Sequence, residues 1–261
     1  MPVSRFLLGF LVLLLGILEG HELYAQETSP LQLRFSDSQN PQAKELKVLL
    51  ETSSELEASL TFIQETFVLK PALSIVFGDQ NGPRWNRAKQ TIDFPYDFLL
   101  EARQRFLKNG FQEGPDLQDA LLSVLTYALY HELGVALIDR YALRVPEPEE
   151  AAAKGLALVL LLETVEDGAF MILTTSELLF LLEEGSPGDS GSFLKRHHLN
   201  EQRYQELLCH VYGSSPGTHA DLVGVGGLPP ASAGKCEERY QQLKALWFRL
   251  LEPHLLSEEN P

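Results

Sequence analysis

The chain alternates between two hydrophobic rhythms. Leu31-Gln-Leu-Arg-Phe35 steps apolar to polar with period two, as a half-buried strand does. Asn40-Pro41 supplies a cap and a proline at the first helical position, so a helix is predicted from Pro41 through Leu50. Ser53 and Ser54 restart a second helix with Leu56, Leu60, Ile63 and Phe67 at helical spacing. Leu73-Ser-Ile-Val-Phe77 and Thr91-Ile-Asp-Phe94 read as strands; the stretch between them, with Asn81-Gly82-Pro83 and Trp85, suggests a hairpin with a long loop. A helix from Tyr96 to Leu107 stops at Asn109-Gly110.

Pro115-Asp116 opens the longest helical pattern, reaching toward Tyr141. Leu117, Leu121, Leu125, Ala128 and Leu129 form one stripe that Leu122 and Val124 widen, and a helix apolar over so much of its circumference is central and buried. Further helices are predicted from Glu149 through Leu162, over 177–184 behind a Thr175 or Ser176 cap, near Asn200–Tyr212, and around Tyr240, Leu243, Leu246, Trp247 and Leu250. Ser186-Pro-Gly-Asp-Ser-Gly191 has the composition of a linker or surface loop. The predicted class is α+β, predominantly α-helical, with a small sheet packed near the long central helix.

The N-terminus changes the setting. Arg5 precedes an apolar run of 13 residues, Phe6 to Leu18, and a more polar segment ending Leu23-Tyr24-Ala25. The run is shorter than the roughly 20 residues a spanning helix needs and has the layout of a signal peptide, with cleavage expected after Ala25 and an uncleaved anchor as the alternative. Residues 1–25 are therefore assigned to a signal peptide and 26–261 to a single domain, exported to the periplasm or secreted. Nothing after position 30 reads as apolar for long enough to span a bilayer; Leu156 to Leu162 comes closest. The net charge of −15 disfavours nucleic acid, whose phosphates it repels. An exported chain with two cysteines, Cys209 and Cys236, favours a disulfide over two buried thiols, closing a loop worth about 3 to 4 kcal/mol.

The chemistry concentrates at His131-Glu132-Leu133-Gly134-Val135 on the long helix. In the H-E-x-x-H motif two histidines at i and i+4 share a helix face and bind zinc while the glutamate acts as general base. Here the i+4 residue is Val135. Without more, a lone histidine on a buried helix is more often a hydrogen-bonded core residue than a ligand.

More of the chain, however, carries a pattern. His131-Glu-Leu-Gly-Val-Ala-Leu-Ile-Asp139 matches eight of the nine positions of H-E-L-G-H-A-L-I-D, and Glu149-Glu-Ala-Ala-Ala-Lys154 matches four of the six of E-E-D-A-A-D. With Phe94-Pro-Tyr-Asp-Phe98, Glu166-Asp-Gly168, Asn200-Glu-Gln-Arg-Tyr204, Cys209-His-Val-Tyr-Gly213 and Cys236-Glu-Glu-Arg-Tyr240, the chain resembles an exported bacterial zinc metallopeptidase family over nearly its whole mature length. The resemblance implies a zincin-like metallopeptidase fold, His131 as first zinc ligand, Glu132 as general base and Glu150 as a further ligand.

Two departures fall on that site. Val135 replaces the second histidine, and Lys154 replaces an aspartate that orients a metal histidine in similar proteins. The expectation is a degenerate member: vestigial His131 and Glu150, no bound zinc in preference to a bound one, little or no peptide hydrolysis, and Lys154 paired with Glu150 or Glu132 in place of the cation. A peptide or envelope protein is the expected partner, with no stable membrane insertion after signal cleavage. One alternative is an active zinc peptidase with an unusual ligand set; another is a structural protein of the cell envelope. Among the histidines that could restore the site, His197, His198, His210 and His219, the first two read as a solvated loop pair and His210 as a packing residue. Tyr204 and Tyr212 could polarise a carbonyl but read as core aromatics.

Overall fold

The computed structural model describes residues 30–180, 193–197, 199–224 and 227–256. The predicted signal peptide, the linker over 186–191 and His198 lie outside the described residues. Four strands, β1 (Leu31–Phe35), β2 (Leu73–Gly78), β3 (Arg84–Asn86) and β4 (Thr91–Pro95), form one sheet in the order β1-β2-β4-β3. β1 runs parallel to β2, β2 parallel to β4, and β3 antiparallel to β4.

That topology corrects the predicted hairpin. β2 and β4 are parallel neighbours, and the segment between them crosses over and supplies β3 itself. Leu73, Ser74, Ile75 and Phe77 are all buried, so β2 lacks the one-sided alternation of a strand with a solvated face and suits a covered parallel position. The reversal lies between β3 and β4, where Gln90 takes a left-handed conformation at φ 54°.

α1 (Pro41–Glu51) and α2 (Ser54–Thr66) make the crossover from β1 to β2. Their starts match the sequence: the Asn40 side chain accepts the Gln42 N–H, and the Ser53 side chain accepts the Leu56 N–H. After β4 come α3 (Tyr96–Lys108), α4 (Pro115–Arg140), α5 (Glu149–Thr164), α6 (Gly168–Phe180), α7 (Phe193–Arg196), α8 (Glu201–Ser214), α9 (Pro230–Ala233) and α10 (Cys236–Leu251). The chain is thus mostly helical with a small mixed sheet.

α4 is the centre. All residues from Ala120 to Ile138 are buried, and the sheet, α5 and α6 pack around it. By length and composition α4 could cross a membrane, which the sequence reading missed, but its apolar window lies wholly inside the fold. Isolated polar residues such as Ser123, Thr126, His131 and Glu132 interrupt the run without lowering its average much. Gly134 admits α5 closely: a Cβ there would stand 3.0 Å from the Ala153 carbonyl oxygen.

α6 begins earlier than predicted. Thr175 and Ser176 are interior residues, not caps, and their hydroxyls donate to the carbonyls of Met171 and Leu173. At the C-terminal end the Cys209–Cys236 disulfide joins α8 to the start of α10.

Candidate metal centre

His131 lies midway along α4 and is 0% exposed. Neither ring nitrogen has a hydrogen-bond partner among the described residues. Nε2 stands 3.5 Å from Glu150 Oε2, and Nδ1 stands 3.6 Å from Glu132 Oε1. Both separations exceed hydrogen-bond length. Leaving a buried polar group unsatisfied costs about 1 to 3 kcal/mol, so this imidazole calls for an account.

Glu150 reaches the ring from the first turn of α5, where the helix dipole favours a carboxylate. Its side chain is 71% exposed, so the cluster opens to solvent on that side. The third member is His197, just beyond α7. Its Nε2 lies 3.9 Å from Glu150 Oε2, and its ring centroid lies 4.4 Å from that of His131. One donor atom from each of His131, Glu150 and His197 falls within 4.8 Å of the others. Tetrahedral zinc, with bonds of about 2.0 to 2.1 Å, spaces its nitrogen and oxygen ligands by about 3.3 Å, so a small contraction closes the set. Two histidines and a glutamate are also one of the donor sets of catalytic zinc. The residues fit the ion.

The structure thus places His197 differently from the sequence reading. It packs into the cluster because Phe193, four residues earlier, is buried against α3 and the site. The Phe193 ring contacts Phe98 at 5.3 Å, His197 at 4.1 Å and the edge of His131 at 5.8 Å. The His197 N–H closes the turn on the Phe193 carbonyl at 3.1 Å.

Glu132 is buried beside His131, and its Oε2 accepts the backbone N–H of Trp85 at 2.7 Å. Trp85 is the middle residue of β3, the edge strand. Its indole Nε1–H donates to Asp139 Oδ2 at 2.8 Å, and the Arg87 guanidinium holds the same carboxylate through two bonds. Burial pushes the Asp139 carboxyl up, but the bonds from Arg87 and Trp85 outweigh it and leave it below the usual carboxylate range.

The two departures from the motif separate here. Val135 is buried at the helix position a second histidine would take. Lys154 does not serve the cluster: the charges acting on it are Glu206 and Arg203 of α8, and burial pushes its amine down. The expected pairing with Glu150 or Glu132 is corrected, because α5 presents Lys154 to α8 while Glu150 turns toward α4. His210 packs on the Lys154 side too, and burial, helped by that ammonium, pushes it down to about 4. Tyr204 packs on Phe180 with ring centroids 5.1 Å apart and the rings tilted by 34°, and Tyr212 packs against the small cluster that holds Leu208, Cys209 and Cys236.

No curated protein and no solved structure matches the chain. A family model described as "putative metallopeptidase" matches residues 35–251, from the last residue of β1 to the end of α10 and including all three cluster residues and Glu132. The chain belongs to that family.

Proposed function

We propose that this protein is a zinc-dependent peptide hydrolase with a zincin-like core, its ion held by His131, Glu150 and His197. The observation that carries the reading is the buried His131 ring, whose nitrogens have no hydrogen-bond partner among the described residues, with ligand atoms of Glu150 and His197 gathered within 4.8 Å. His197 stands in for the histidine that Val135 replaces, so the ligand count is kept although the helix motif is broken. When bound, zinc supplies Lewis acidity to a water and to a scissile carbonyl.

The chain's own residues divide the remaining work. Glu132 is the proton acceptor, with one carboxylate oxygen held by the Trp85 N–H and the other beside His131. Phe193 walls the site on one side and shields both imidazoles from water. The exposed side of Glu150 is where an extended peptide enters. Export by the N-terminal segment would direct the activity to peptides outside the cytoplasm.

Hydrolysis of a fluorogenic peptide library by the zinc-loaded protein tests the reading. Cleavage that a chelator abolishes and zinc restores is expected, with Glu132→Gln keeping the metal and losing the activity. A protein that cleaves nothing under zinc loading would instead support the degenerate site inferred from Val135.

A further inference from the structure

Trp85 is held twice by α4, once through its backbone and once through its ring. The backbone N–H donates to Glu132 at 2.7 Å and the indole N–H to Asp139 at 2.8 Å. Glu132 and Asp139 are two helical turns apart, so one strand residue bridges one face of the helix. β3 is three residues long, pairs on one side only and has little sheet to hold it. Pairing with β4 holds its other edge, and these two bonds tie it to α4, with the Arg140 guanidinium 6.0 Å from the Trp85 ring centroid and Arg87 fixing Asp139 from outside.

We infer that Asp139 is a positioning residue for Glu132, acting through Trp85. Asp139 fixes the indole, the indole fixes the strand, and the strand N–H fixes one oxygen of the Glu132 carboxylate. The other oxygen lies 3.6 Å from His131 Nδ1. The bonds to Asp139 and Glu132 are charge-assisted, which makes both links stiffer than neutral hydrogen bonds. The catalytic consequence rests on the hydrolase reading, whereas the linkage itself does not.

Incorporating ¹⁵N-tryptophan into the full chain gives two backbone and two indole signals, since Trp85 and Trp247 are the only tryptophans. Trp247→Phe assigns them. Asp139→Asn should move both Trp85 signals, and Glu132→Gln should move the backbone signal. In Asp139→Asn zinc affinity should stay within about twofold, while kcat falls about 10- to 100-fold with little change in KM, the signature of a misplaced group and not of lost binding. Arg87→Met, which removes the outer support of Asp139, should move the same signals by less and serves where Asp139→Asn does not fold. A Trp85 backbone signal that stays put while the indole signal moves would overturn the inference, because Asp139 would then hold only the ring. If the wild-type chain cleaves no peptide, the hydrolase reading fails, and the paired shift still decides whether Asp139 sets Glu132.

Discussion

Glu150 faces His131 across the contact between α4 and α5, Oε2 to Nε2 at 3.5 Å, and Gly134 makes that approach possible. One helical turn beyond His131, Gly134 meets Ala153, and a Cβ there would lie 3.0 Å from its carbonyl oxygen and 3.1 Å from its Cα. The metal cluster thus depends on a contact between two small residues that touch no metal.

Gly134→Leu should push α5 outward and carry Glu150 with it. Overpacking of this kind costs about 1 to 3 kcal/mol, offset slightly by the better helix propensity of leucine. Urea unfolding should show the loss, and zinc affinity should fall with it. A variant that keeps both stability and zinc affinity would show that the α4–α5 spacing does not govern the site.

Position 135 offers a test of equivalence. A histidine at i+4 shares the His131 face of α4, so Val135→His should restore zinc to a chain that has lost it through His197→Ala. Isothermal titration of the double variant against His197→Ala alone reads this directly. Failure of the double variant to bind would mean that the helix no longer points position 135 at the cluster.

His210 gives the stability a pH dependence. Its folded pKa is pushed down to about 4 from 6.5, so the unfolded chain takes up the proton first. This group's contribution is complete above about 6.5 and is lost as pH falls toward about 4. His210→Gln should flatten the stability profile measured by urea unfolding across that window, and an unchanged slope would assign the dependence to other groups.

Much of the fold was legible in the sequence because its signals are local. Asn40-Pro41 and Ser53 capped the helices they announced, Pro115 opened α4, and the apolar circumference of α4 forecast its burial. The strand pairing was not legible: β2 and β4 are separated by a stretch that reads equally well as a hairpin loop or as a crossover holding a third strand. At the site, His131, Glu132 and Glu150 stand on motif positions. His197 does not, because what brings it in is the packing of Phe193 on Phe98, a contact with α3 from far along the chain. The buried pair Phe193-Leu194 just before His197 was the local hint that this segment docks instead of staying in solvent. The role given to Lys154 failed for a similar reason, since the neighbouring α8 surface, invisible to i, i+4 spacing, decides where it faces.

The zinc content of the purified full chain and of His197→Ala, after equilibration with a small molar excess of zinc and removal of the free ion, is the most direct measure of the central claim. One equivalent per chain in the wild type, falling to near zero in a folded His197→Ala, is the expected result. A wild-type protein that retains no zinc, or a His197→Ala chain that retains a full equivalent, would contradict it.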